Sequence, residues 1–127
     1  MIQLLFVYFT AQYGLPEGLL SSLCYVESRH VASAIHKNDG GEDSIGICQI
    51  KYSTAKQLGY RGSKKELYLP ENNIKYAALY LKKQIKRYKS INRGVIAYNR
   101  GNSRLLTTSK YQVKVYKIWH KEFVCLK

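Results

Sequence analysis

From Pro70 to Tyr88 the apolar residues Ile74, Ala78, Leu81, Ile85 and Tyr88 recur at steps of three and four, with lysines between them. That period belongs to an α-helix with one apolar face and one solvated face, and such a helix is stable only when another element covers its apolar side. Pro70-Glu71 supplies the start. Proline sits where a helical N–H has no partner anyway, and glutamate meets the positive end of the helix dipole. Only two prolines occur in 127 residues, so further long helices are unobstructed.

The flanking segments fit the same pattern. Met1 to Phe9 is apolar and Gly14 closes it, which reads as a first core helix. It is far shorter than the ~20 residues of a membrane span. It also lacks the basic start and A-x-A-like site of an export leader, so neither is expected in this chain. Pro16-Glu17 reads as the first turn of a second helix, on which Leu20, Leu23, Cys24 and Glu27 share a face. Residues 37–44 form a polar loop rich in turn formers. A short helix from about Asn92 to Tyr98 ends at Gly101. Tyr111, Val115, Ile118 and Trp119 mark a last amphipathic helix, with a strand through Val113 and Val115 as the alternative. No strong hairpin signal appears. The expected fold is all-α or nearly so, in one domain over residues 1–127, since the length supports one core.

Lysine and arginine number 21 against 8 acids, a net charge of +13. Such a surface favours polyanions, whether nucleic acid, anionic lipid or an acidic wall polymer. Lys82, Lys83, Lys86, Arg87 and Lys89 form a dense ridge suited to an anionic cell wall. Twelve tyrosines could stack on bases. They are scattered at helical spacings without a nucleic-acid-binding signature, so no specific nucleic acid is expected. Cys24, Cys48 and Cys125 and the histidines His30, His36 and His120 show no metal spacing, and no metal or cofactor is expected. The cysteines read as buried free thiols, with a Cys24–Cys48 bridge left open.

Glu27 is the residue with chemical potential. Sharing a face with Leu20, Leu23 and Cys24, its carboxyl should be partly desolvated and its pKa raised. An acid that stays protonated near neutral pH can donate to a leaving oxygen. The bland alternative is a carboxylate paired with a cation such as Arg29 or Arg100.

Around Glu27-Ser28 the chain carries Gly46-Ile47-Cys48-Gln49-Ile50, then Ser53-Thr54-Ala55, then Asn73-Ile74 with Tyr80-Leu81, then Ala97-Tyr98-Asn99-Arg100-Gly101. In order and spacing these segments resemble the soluble lytic transglycosylase family, whose catalytic domain is related to goose-type lysozyme. That family reads E-S, G-L-M-Q-I, S-T-A, N-I with Y-L, and A-Y-N-A-G, and the likeness spans about residues 8–119. The resemblance implies a lysozyme-like helical domain, acting as a monomer, with a groove for the glycan strands of peptidoglycan. It implies Glu27 as the acid that protonates the glycosidic oxygen and then as the base that deprotonates the muramyl 6-hydroxyl, giving a 1,6-anhydro end. Ser28, Gln49, Tyr98, Asn99 and Tyr80 would hold the site and the sugar.

Several positions depart from the family pattern. Cys48 replaces methionine, Tyr52 a proline, and Arg100 the alanine of A-Y-N-A-G. His36 stands where many members place a serine near the acid. A charged His36 beside Glu27 would lower that carboxyl's pKa and oppose the acid role. The 39–43 loop carries Asp39, Glu42 and Asp43. Asp39 is the best match to the second carboxylate of an inverting hydrolase, so a goose-type-like lysozyme is the alternative chemistry. A non-catalytic binding module is a third reading. The expected place of action is the wall, reached as a phage lysis or virion enzyme or through a secretion apparatus.

Overall fold

The computed structural model describes residues 1–103 and 106–124. The fold is organised around helix α4, Pro70–Tyr88, with the proline in its first turn. Ile74, Ala78 and Leu81 on the expected face are completely buried, as is Ala77 beside them. Helices α1 (Ile2–Gln12), α2 (Leu19–Ser28) and α5 (Ile91–Arg100) pack on α4. Helix α6 (Lys110–Trp119) closes the bundle against α2 and α5. Crossing α5 over α4 needs Gly94, since a Cβ there would lie 2.7 Å from the Ile85 Cα. Ser90 and Ser109 cap α5 and α6, each side chain accepting a backbone N–H one turn on. At Ser109 the reciprocal Gln112 bond completes a capping box.

Two helices differ from expectation. Helix α2 begins at Leu19, not at Pro16. Gly18 is its N-cap at φ 81, a left-handed conformation that helix cannot run through. Pro16-Glu17 therefore lies in the preceding turn, where the Leu19 N–H reaches the Pro16 carbonyl at 3.2 Å. Helix α1 buries only one edge, through Phe6 and Phe9, while Leu4, Val7 and Tyr8 are exposed. Val113 and Val115 lie on helix α6, one exposed and one buried, so the strand alternative fails. Among the described residues, no helix is long and apolar enough to cross a membrane.

The polar loop is a hairpin, although its sequence carries no strong hairpin signal. Strands β1 (Ile35–Asp39) and β2 (Glu42–Ile45) pair antiparallel, with Ile35 opposite Ile45 and Asp39 opposite Glu42. Gly40 and Gly41 turn between them at φ 69 and 95, the positive pair that a two-residue hairpin turn requires. Strand β3 (Ile50–Lys51) adds to β2, and helix α3 (Tyr52–Gln57) follows directly. Under this sheet Ile45, Ile50, Ala55, Tyr60 and Leu67 form a second, smaller core. The described residues remain predominantly helical, as expected.

Cys24 and Cys48 form a disulfide with Cα atoms 4.4 Å apart, overturning the free-thiol expectation for both. Both are completely buried, so the fold itself brings α2 and the loop after β2 into contact. Cys125 lies outside the described residues.

Candidate active site

Glu27 is the penultimate residue of helix α2, one turn beyond Cys24. The helix stops there because Arg29 and His30 turn left-handed, at φ 57 and 63. Ser28 then ties this end to the loop that follows β2. Its hydroxyl donates to the Ile47 carbonyl at 2.6 Å and accepts the Val31 N–H at 3.0 Å. Ser28 does not line the cleft described below, so its place is beneath the site rather than against a ligand.

The loop 46–49 is held from three helices. The disulfide fastens it to α2. From α4, the fully buried Asn73 accepts the Cys48 N–H at 2.8 Å and donates to the Ile45 and Leu67 carbonyls at 3.0 and 2.9 Å. From α5, the Tyr98 hydroxyl donates to the Cys48 carbonyl at 2.8 Å. Gly46, at φ 82, is required by this arrangement, because a Cβ there would fall 2.1 Å from the Asn73 amide nitrogen. Gln49 is also left-handed, at φ 54. Its amide nitrogen donates to the carbonyls of Ala34 and Gly46, which leaves its side-chain oxygen as an acceptor.

These anchors frame a cleft of about 390 Å³. Glu27, Tyr80 and Tyr98 contribute to it from the helices and Gln49 from the loop 46–49, with the Tyr80 and Tyr98 rings 5.1 Å apart. The hairpin contributes Asp39, Gly40 and Ser44. The segment from β3 into α3 contributes Lys51 and Thr54, and the end of α5 contributes Asn99, Arg100 and Gly101. Six of the residues singled out from sequence thus meet in one place: Glu27, Asp39, Gln49, Tyr80, Tyr98 and Asn99.

Burial pushes the Glu27 carboxyl up from 4.5 to about 7. A hydrogen bond from Tyr111 pulls it back somewhat, and the Asp39 charge adds to the rise. The Tyr111 hydroxyl donates to Glu27 Oε2 at 2.6 Å. Burial and the adjoining Glu27 charge hold the Tyr111 phenol well above its ordinary range, so it keeps its proton. Among the described residues no cation lies within ion-pair distance of Glu27, and the pairing with Arg29 or Arg100 is not formed. His36 does not approach Glu27 either. Its side chain is 70% exposed and its Nδ1 faces Asp39 at 3.9 Å.

The loop acids divide by role. Glu42 accepts both the N–H and the hydroxyl of Ser53. Asp43 accepts the Asn38 N–H and the Lys64 ammonium. Both brace the hairpin, while Asp39 alone of the three lines the cleft, accepting from Ser44 at 2.7 Å. No group of residues suited to holding a metal occurs among the described residues.

Sequence reasoning placed Tyr111 only in the packing face of α6. Its contact with Glu27 spans 84 positions, and no local spacing rule reaches that far. Asn73 belongs to the Asn73-Ile74 segment, but nothing in a lone asparagine announces its role as the hub beneath the loop.

Comparison with known proteins adds an independent observation. A family described as "Transglycosylase SLT domain" matches residues 5–120. A "Transglycosylase" of Enterobacteria phage PRD1 is 30% identical over 111 residues, covering 85% of this chain and 39% of that protein. Protein IpgF of Shigella flexneri is 30% identical over 110 residues, covering 84% of this chain and 72% of IpgF. An X-ray structure of an inactive mutant of the lytic transglycosylase Slt from Pseudomonas aeruginosa superposes with a TM-score of 0.70. It is 22% identical in sequence and covers 89% of this chain and 20% of that one, a likeness of fold.

Proposed function

Because the chain belongs to the transglycosylase SLT domain family, we propose that it is a peptidoglycan lytic transglycosylase in which Glu27 works first as acid and then as base. The bond broken is the β-1,4 link between N-acetylmuramic acid and N-acetylglucosamine. Glu27 gives its proton to the glycosidic oxygen as the bond to the anomeric carbon opens, and the substrate's own acetamido group steadies the cationic carbon. The ionised Glu27 then takes the proton of the muramyl 6-hydroxyl. That oxygen closes on the anomeric carbon, giving a 1,6-anhydro end and returning Glu27 to its starting form. No water is consumed, and no metal or cofactor takes part.

The observation that carries this reading is a carboxyl with a pKa of about 7 opening onto a cleft. Near neutral pH such a group is divided between its two forms, so it can both donate and accept. Tyr111 supports the first half of the cycle, since a donated hydrogen bond favours the carboxylate left when the proton is given up. Gln49, Tyr80, Tyr98 and Asn99 hold the sugars, Ser28 and Asn73 hold the loop, and the basic surface draws a monomeric enzyme to the anionic wall. The wall is the place of action, whether as a phage lysis or virion enzyme or through a secretion apparatus.

One observation favours a second chemistry. Asp39 lines the same cleft and its charge contributes to the rise at Glu27. An inverting hydrolase uses a second carboxylate to activate water, at roughly 6.5–9.5 Å from the acid. Mass spectrometry of digested peptidoglycan decides between them. Anhydromuramyl ends support transglycosylation, whereas reducing ends one water heavier, lost in Asp39→Asn, establish the hydrolase. Undiminished lysis by Glu27→Gln would defeat both readings and leave a module whose chemistry lies elsewhere.

A further inference from the structure

Two cations line the cleft without a carboxylate in ion-pair contact. Lys51 stands at the end of β3, its ammonium beside the hairpin tip, where a Cβ on Gly40 would lie 3.2 Å from it. Arg100 is the last residue of α5. Both share the cleft with Glu27. Among the described residues neither has an ion-pair partner within 4.0 Å. Asp39, the other acid of the cleft, already accepts from Ser44 and faces His36.

General duties do not account for both charges. Arg100 in the last turn of a helix complements its dipole, and Lys51 helps hold Glu42 ionised from a distance. Either duty would be served as well by a side chain away from the cleft, yet both residues border it. Near neutral pH Glu27 is only partly ionised, so Lys51 and Arg100 together outweigh Asp39. A neutral sugar chain gains nothing from that excess, but an anionic one does. Muramic acid carries a lactyl ether whose carboxyl is either free or amide-linked to a peptide bearing its own carboxylates.

We infer that Lys51 and Arg100 form a carboxylate-recognition subsite, making the enzyme selective for glycan whose muramyl residues carry a negative charge. This rests on the reading of the cleft as a peptidoglycan site. Guanidinium pairs with carboxylate through two parallel hydrogen bonds, and the Lys51 ammonium adds a second donor to the same cleft. The carboxylate can come from the lactyl group itself or from the stem peptide.

The test compares wild type, Arg100→Gln, Lys51→Gln, Arg100→Lys and Lys114→Gln, the last an exposed lysine of α6 outside the cleft. Each is assayed on peptide-bearing glycan, on glycan stripped of peptide by an amidase, and on glycan whose carboxylates have been converted to amides. On peptide-bearing glycan, Arg100→Gln and Lys51→Gln should each raise KM roughly tenfold, with Arg100→Lys recovering part of the loss and Lys114→Gln showing none. On amidated glycan wild type should fall to the level of the glutamine variants. Retained selectivity on stripped glycan identifies the lactyl carboxylate, and selectivity only on peptide-bearing glycan identifies the stem. Equal losses on amidated and unmodified glycan, or equal losses in Lys114→Gln, would overturn the subsite. Anhydro products from wild type keep the functional reading intact in that event, whereas absent cleavage on all three substrates would fail that reading itself.

Discussion

Replacing Glu27 by glutamine should make the protein more stable at alkaline pH, by an amount the site itself sets. The Glu27 pKa rises from 4.5 to about 7 on folding, chiefly through burial. That rise is a difference of about 3 kcal/mol between the protonated and ionised forms in the folded protein. Below pH 4.5 the carboxyl is protonated whether the chain is folded or not, and nothing is lost. Between 4.5 and about 7 the folded protein holds a proton that the unfolded chain releases, so stability falls as pH rises. Above about 7 both states are ionised and the full cost is present. Glutamine has nearly the same shape, carries no charge, and still offers an oxygen to the Tyr111 hydroxyl. Urea denaturation of wild type and Glu27→Gln at pH 4, 6 and 9 measures the effect, because other titrating groups cancel in the difference. The two proteins should be nearly equal at pH 4, with Glu27→Gln ahead by about 3 kcal/mol at pH 9. A difference that is flat with pH, or a less stable Glu27→Gln at pH 9, would refute the claim that protein around this carboxyl holds its proton.

Turnover should fall as pH rises through about 7, where Glu27 loses its proton. In Tyr111→Phe that limb should move to higher pH, since the donated hydrogen bond favours the ionised form; pH–rate profiles of wall-suspension clearing check both. Opening the Cys24–Cys48 bridge, by dithiothreitol or by Cys24→Ala with Cys48→Ala, should cost about 3.5 kcal/mol, the loop-closure value for a separation of 24 residues. An unchanged urea midpoint under reductant would contradict it. Gly46→Ala should cost more than about 3 kcal/mol, because its Cβ displaces the Asn73 amide and strands three buried backbone groups. Gly101→Ala, also at positive φ but facing open space, should cost about 1 kcal/mol. Thermal melts of the two variants compare them directly.

The helical frame was legible because its signals are local. Ile74, Ala78 and Leu81 mark their own face, Pro70 and Gly101 punctuate their own helices, and Glu27 extends a stripe whose Leu23 and Cys24, four and three positions before it, are buried. The hairpin was hidden because β1 is almost wholly exposed and shows no alternation of apolar and polar residues. Gly40-Gly41 was therefore a turn signal without recognisable strands beside it. Pro16-Glu17 carries a helix-start signal, but Gly18 at positive φ belongs to the turn and delays the helix to Leu19. The disulfide and the Tyr111 contact depend on how α2, the loop and α6 meet in space, which no periodicity records. His36 follows Glu27 by nine positions in sequence, but strand β1 carries it outward.

Asn73 grips the chain at Ile45 and Cys48 on one side and at Leu67 on the other. Everything between Cys48 and Leu67 is thus a detour whose entrance and exit one amide keeps adjacent. A longer or shorter detour would leave both doors where they are, at an entropic cost that grows only slowly with length. The exposed stretch after Tyr60, which does not line the cleft, is where insertions could lengthen the detour without disturbing the seat of Glu27. Evolution can lengthen or trim that stretch while the acid keeps its place.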